Sequence, residues 1–228
     1  MSMTSDTATI DTNDLAQREA GRALVIQQLN EAHATEAALV TTLQAHIAMT
    51  PKGSYRTVLE RHLRETEQQA EAIQRRLGEL GAGSSLVATG AGLVQSLIGQ
   101  VLALSKGPVD AIRGKSGEEK LLKNAKDECA TEALEIATYD SLAVLAKAVG
   151  DDQTAELAER HRAQEERMLD DLRRHIPMLT QATVLAQAGG TPTYDIGSTG
   201  AADAVRTARK RAASSAKRAA KRAGANGA

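Results

Sequence analysis

The chain has 228 residues, 42% of them hydrophobic, yet no Trp, no Phe and only three Tyr, which argues against a β-rich fold and for helices packed through Ala, Leu, Val and Ile. Cys129 stands alone, so a disulfide framework and a CxxC metal motif are excluded. The opening stretch MSMTSDTATIDTND lacks the basic residues and apolar run of a secretory leader, so a cytoplasmic setting is expected. The net charge of −1 divides unevenly: residues 201–228 hold eight Lys/Arg against Asp203, a tail of +7 on a body of −8.

Residues 1–11 read as disordered. Thr12, Asn13 and Asp14 are candidate caps for a first helix running to about Ala48, with Val25, Leu29, Ala32, Glu36, Leu39, Leu43 and Ile47 along one stripe. Pro51 and Gly53 break the chain, and a second helix spans about 54–80. A long crossover, 81–118, contains the uncharged run LVATGAGLVQSLIGQVLAL (86–104). Its glycines and glutamines argue against a membrane span, and it is expected to be covered by the bundle or a second subunit. A third helix covers about 118–149, and Gly150-Asp151-Asp152 turns into a fourth that ends near Pro177. Residues 180–200 read as a linker before the basic tail, 201–228. Two helical hairpins with short turns, joined by one long crossover, predict an all-α, ferritin-like four-helix bundle over 12–179 with disordered termini.

Acids recur on or beside the stripes at matched heights. Glu36 lies 15 residues before the first turn and Glu65 lies 14 after it; Glu135 and Glu165 lie 15 either side of the second, and Glu132 is one turn from Glu135. At 1.5 Å per residue, the four matched acids, Glu36, Glu65, Glu135 and Glu165, sit about 22 Å from a turn, near mid-bundle. Two readings stay open: solvated acids matched by chance in a chain with 29 of them, or an inward-facing cage for a hard cation. His33, His62 and His161 precede stripe glutamates by three or four residues and read as surface or supporting histidines. Tyr139 and His161, each 11 residues from the second turn, are expected to touch, with Tyr139 a core tyrosine satisfying its hydroxyl.

Four blocks in order, "LNEAHATEAAL", "HLRETEQQAEAI", "EALEIATYDSL" and "AQEERMLDDL", resemble the YciE/YciF-type ferritin-like family of bacterial stress proteins over about residues 24–175. The resemblance implies a ferritin-like bundle, dimerisation, and a glutamate centre for two metal ions, iron or manganese. The implied ligands are Glu36, Glu65 or Glu67, Glu132, Glu135, and Glu165 or Glu166. The chain departs from the ExxH pairs common in ferritin-like oxidases: Gln68 and Met168 stand where imidazoles would, and Arg64 replaces a carboxylate. An all-oxygen site is therefore expected, less selective for iron than one with imidazoles.

The tail RTARKRAASSAKRAAKRA favours helix, has no apolar face, and should be disordered in isolation. Arg206, Arg209, Lys210, Arg211, Lys217, Arg218, Lys221 and Arg222 are its candidate polyanion contacts. They hold nucleic acid by phosphate charge without sequence specificity, and an anionic membrane fits them almost as well. Two functions fit these features. One is a cytoplasmic stress-related protein with a glutamate-rich metal site and a polyanion-docking tail, its catalytic residues and substrate unknown. The alternative is a non-enzymatic interaction protein with a decayed metal site, a homodimer or higher homo-oligomer that binds nucleic acid or another anionic assembly.

Overall fold

The computed structural model describes residues 12–82 and 116–225. The segment 1–11 and the uncharged run 86–104 lie outside the described residues. Five α-helices follow in order: α1 (Thr12–Met49), α2 (Ser54–Glu79), α3 (Gly117–Ala148), α4 (Asp152–Gln187) and α5 (Gly200–Ala225), with a 3₁₀ turn at Ile196–Ser198. The first two pair as one antiparallel hairpin and the next two as another; α1 packs beside α3 and α2 beside α4. This is the ferritin-like four-helix bundle.

Local chemistry sets the helix ends. Ser116 caps α3 by accepting from Glu119 N at 3.3 Å. At the second turn Gly150 takes a left-handed φ of 76°, which lets Asp151 N reach Ala146 O at 2.8 Å and closes α3. Asp151 then caps α4 by accepting from Thr154 N at 3.0 Å and pairs with Arg76 on α2 at 2.7 Å. The two hairpins are thereby pinned together at this end.

Helix α4 does not stop near Pro177; it runs ten residues further, to Gln187. Proline removes one backbone hydrogen bond. Beyond it, Leu179 is buried in the cluster with Tyr55, Leu121 and Leu172, so packing outweighs that loss. The linker expected from residue 180 therefore begins only after Gln187, and its second half forms a strap over the first turn. Glu118 accepts from Thr193 N (2.6 Å) and Tyr194 N (2.7 Å), Tyr194 Oη donates to Met49 O (2.7 Å), and Lys52 N donates to Ser198 O (3.0 Å). Two glycines permit the fit. A Cβ on Gly117 would come within 2.2 Å of the Tyr194 ring, and one on Gly200 within 2.5 Å of Ile47 O.

Two apolar clusters fill the bundle. One, near the second turn, centres on Leu29, Ile73, Leu142 and Leu157; the other, near the first turn, on Leu43, Leu59, Met168 and Leu172. Between them, at mid-height, the core is polar.

Candidate metal centre

Each bundle helix sends at least one polar side chain into that gap. On α1, Glu36 occupies the stripe position between Ala32 and Leu39. On α3, Glu132 and Glu135 lie one turn apart, and on α4 Glu165 lies one turn after His161. Helix α2 contributes His62 and Gln69. All seven are buried, Glu132 and His62 to 0% and 1% exposure. One nitrogen of His62 and one oxygen each of Glu132 and Glu165 lie within 4.8 Å of one another. Nε2 of His62 is 3.1 Å from Glu132 Oε1, but the alignment does not make a hydrogen bond.

The fold satisfies only part of this group. Tyr139 Oη donates to Glu36 Oε1, and Gln69 Nε2 donates to Glu165 Oε1. Both oxygens of Glu132, both of Glu135, Oε2 of Glu36, both ring nitrogens of His62 and Nδ1 of His161 have no hydrogen-bond partner. An orphaned polar atom in a dry core costs about 1–3 kcal/mol, so such a concentration is not a stability feature.

Proton affinities follow from the burial. Burial pushes the Glu36, Glu132 and Glu135 carboxyls well above the usual range, and neighbouring carboxylates push further: Glu165 on Glu36, Glu135 on Glu132, Glu36 on Glu135. Glu165 is raised to about 7, chiefly by burial, with the hydrogen bond from Gln69 opposing the rise. Burial lowers His62 to about 3 and His161 to about 4, so both rings are neutral near pH 7, the form that ligates metals. His161 meets Tyr139 edge-on, ring centroids 5.1 Å apart.

Of the five glutamates singled out in the sequence, the structure brings together Glu36, Glu132, Glu135 and Glu165. Glu65 is only half-buried, on the shoulder of α2, where its charge reaches Glu165 without joining the buried group. Glu67 and Glu166 are exposed, the latter 3.3 Å from Arg162. The expectation of an all-oxygen site is corrected: His62, read as a surface or supporting residue, projects into the centre. Its signal was the buried stripe Tyr55, Leu59, His62, Thr66, Gln69, Ile73, which fixes the phase of α2 and puts Glu65 one position off it.

The donor set fits metal. Four carboxylates carry the charge that two divalent cations neutralise, and neutral imidazole with carboxylate suits iron, manganese or zinc. Among the described residues no buried Lys or Arg stands by to neutralise them instead.

Residues 22–185 match the family model described as a domain of unknown function, DUF892. No curated protein matches the chain. Among solved structures it is similar to a protein from Xanthomonas campestris (23% identity, TM-score 0.57, covering 74% of this chain and 99% of that one). It is also similar to the E. coli stress protein YciF (20%, 0.53, 71% and 97%) and to YcfI from Rhodopseudomonas palustris (16%, 0.51, 75% and 98%). At these identities the likenesses bear on fold. With the family model spanning most of the bundle, the chain belongs to the DUF892 family, the YciE/YciF-type ferritin-like proteins.

Proposed function

We propose that the protein binds divalent iron or manganese at the buried centre, His62, Glu132 and Glu165 holding one ion and Glu36 and Glu135 serving a second. The observation that carries this is the set of buried carboxylate and imidazole atoms without partners. Such ions, when bound, supply Lewis-acid or redox chemistry; the chain's own residues exclude water and hold the ligands, Tyr139 orienting Glu36 and Gln69 orienting Glu165.

A stress-related role in the cytoplasm belongs to this reading by analogy with the E. coli relative's name, and no described helix is long and apolar enough to cross a membrane. Assembly as a homodimer or higher homo-oligomer belongs to it too, since Val144, Val184 and Leu185 stay exposed on outer faces. Helix α5 is the polyanion-docking element: Arg209, Lys210, Arg211 and Arg218 are exposed along it.

Elemental analysis of the purified protein, followed by calorimetric titration of the metal-free form with Mn²⁺, tests the centre. Close to two ions per chain, lost in Glu132→Leu, is the expected result. If neither Fe, Mn nor Zn is taken up, the carboxyls are neutralised by protons alone, and the non-enzymatic interaction protein is the better reading.

A further inference from the structure

A buried centre has to be filled from outside, and the walls of this one are unequal. Along the bundle axis it is closed by the two apolar clusters. Across the seam between α1 and α3 stands Tyr139, 1% exposed and donating to Glu36. The seam between α2 and α4 is different. It is pinned at both ends, by Arg61 with Asp171 toward the first turn and by Arg76 with Asp151 (2.7 Å) at the second. Midway between these pins, Gln69 of α2 reaches Gln164 of α4, Nε2 to Oε1, at 3.3 Å.

Gln69 stands between inside and outside. The same Nε2 donates to Glu165 Oε1, whereas Gln164 is half-buried on the shoulder of α4. Among the described residues, this run of hydrogen bonds from Glu165 to Gln69 to Gln164 alone joins the centre to a side chain that meets solvent. The other polar atom of that amide, Gln69 Oε1, is buried with no hydrogen-bond partner. A carbonyl oxygen left free one side chain outside a carboxylate is what a hard cation takes in place of a lost water. Glu65, one turn before Gln69 on the same helix, is half-buried, and its charge is felt at Glu165. Two nearby cations are held aside, Arg61 by Asp171 and Arg167 by Ala163 O at 2.7 Å.

We propose that the Gln69–Gln164 contact is the gate through which a divalent cation enters the centre, with Glu65 drawing the ion to its mouth. The inference rests on the metal reading of that centre. The amide contact is the weakest tie on the seam, being neutral and 3.3 Å long, whereas both pins are ionic. Swinging Gln164 outward breaks it and leaves the bond from Gln69 to Glu165 in place. The Glu65 carboxylate and the two glutamine carbonyl oxygens then replace the ion's water in turn before it reaches Glu165. No covalent bond is made or broken, and nothing is oxidised or reduced. Glu65 and Gln164 guide the ion and do not hold it at rest.

The test is stopped-flow mixing of the metal-free full chain with Mn²⁺, following loss of the free ion by paramagnetic resonance. Gln164→Lys puts a cation at the proposed mouth, and Ala37→Lys puts one on the exposed face of α1, away from it. At low salt Gln164→Lys should slow uptake about 10-fold or more, and Glu65→Gln by a smaller factor. Both effects should shrink as salt is raised, while Ala37→Lys takes up the ion at the wild-type rate. All three variants should bind as much Mn²⁺ at saturation as the wild type. Equal slowing by Gln164→Lys and Ala37→Lys reduces the effect to net charge and overturns the gate. Wild-type rates in both seam variants also overturn it and leave the metal reading standing. Less Mn²⁺ bound at saturation by either seam variant overturns it too, and makes that residue a ligand or part of the packing. A wild-type chain that takes up no Mn²⁺ removes both readings.

Discussion

Glu118 and Glu132 are buried acids fourteen residues apart on the same helix, and the fold treats them oppositely. Glu118 accepts two backbone N–H groups from the strap, at 2.6 and 2.7 Å, and these with its cap contacts overcome burial and lower its pKa. Glu132 has no hydrogen-bond partner and, through burial and then Glu135, a pKa raised well above normal. The first acid is part of the architecture: removing it exposes donors that nothing else satisfies. The second is a cost to the metal-free fold, which is what the proposed metal reading expects of a ligand.

The sharpest way to break this contrast is to add metal. At Mn²⁺ concentrations 1,000 times the dissociation constant, the wild type should gain about 4 kcal/mol against urea, and Glu132→Leu almost none. Equal gains in both proteins would mean the ion sits elsewhere. Next in size is Glu118→Ala, which strands the amides of Thr193 and Tyr194 and should cost about 3 kcal/mol with or without metal. A loss below about 0.5 kcal/mol would show that the strap is dispensable. Glu132→Leu in metal-free protein should move the other way, gaining about 1–2 kcal/mol by removing an uncompensated buried acid.

The pH dependence sharpens the same point at lower amplitude. A carboxyl whose folded pKa is raised stabilises the fold when protonated. Glu165 contributes fully below 4.5, and its contribution is lost as pH rises through about 7; Glu36, Glu132 and Glu135 act in the same direction. His62 and His161 run oppositely. Depressed to about 3 and about 4, they contribute above 6.5 and lose it as pH falls, so they mask the carboxyls only below that point. Metal-free protein should therefore lose about 1 kcal/mol per pH unit between 6.5 and 8, measured by urea melts, and saturating Mn²⁺ should abolish the decline. A flat profile without metal would mean the carboxylates find other partners.

Much of the fold was legible because its signals are local: breakers at 51–53, the Gly150-Asp151 cap, and stripes of period 3.6. Spacing from the turns put Glu36, Glu135 and Glu165 at mid-height, where the structure buries them, but was silent about azimuth on α2. There a polar stripe of His62, Thr66 and Gln69 does not look like a buried face, and the matched spacing points to Glu65 instead. The continuation of α4 past Pro177 and the strap were not legible. Both depend on contacts over long sequence separations, Leu179 against Tyr55 and Tyr194 against Glu118, which local rules do not contain.

The tail is where structure and function separate most cleanly, so its effect on stability should be the smallest. The strap's amides and Tyr194 all precede Gly200; α5 packs against α1, and its Asp203 lies 2.8 Å from Arg56 and 3.2 Å from Lys52. The Lys52 pair is exposed on the lysine side and adds little in salt, while the Arg56 pair is part-buried and adds a modest amount. On the proposed reading, attraction to a polyanion comes from the eight basic residues of the tail, set against a body of −8. Cutting the chain after Gly200 should leave the urea midpoint and Mn²⁺ uptake unchanged. It should also abolish retention on duplex DNA, which in the full chain should weaken about 10³-fold or more between 50 and 200 mM salt, the steepness expected if most of the eight cations engage phosphates. Glu118→Ala, by contrast, should lower stability while leaving the salt dependence of DNA retention as it was. A truncated chain that still holds DNA at 200 mM salt would move the polyanion site onto the bundle, and a truncation that unfolds it would make α5 part of the architecture.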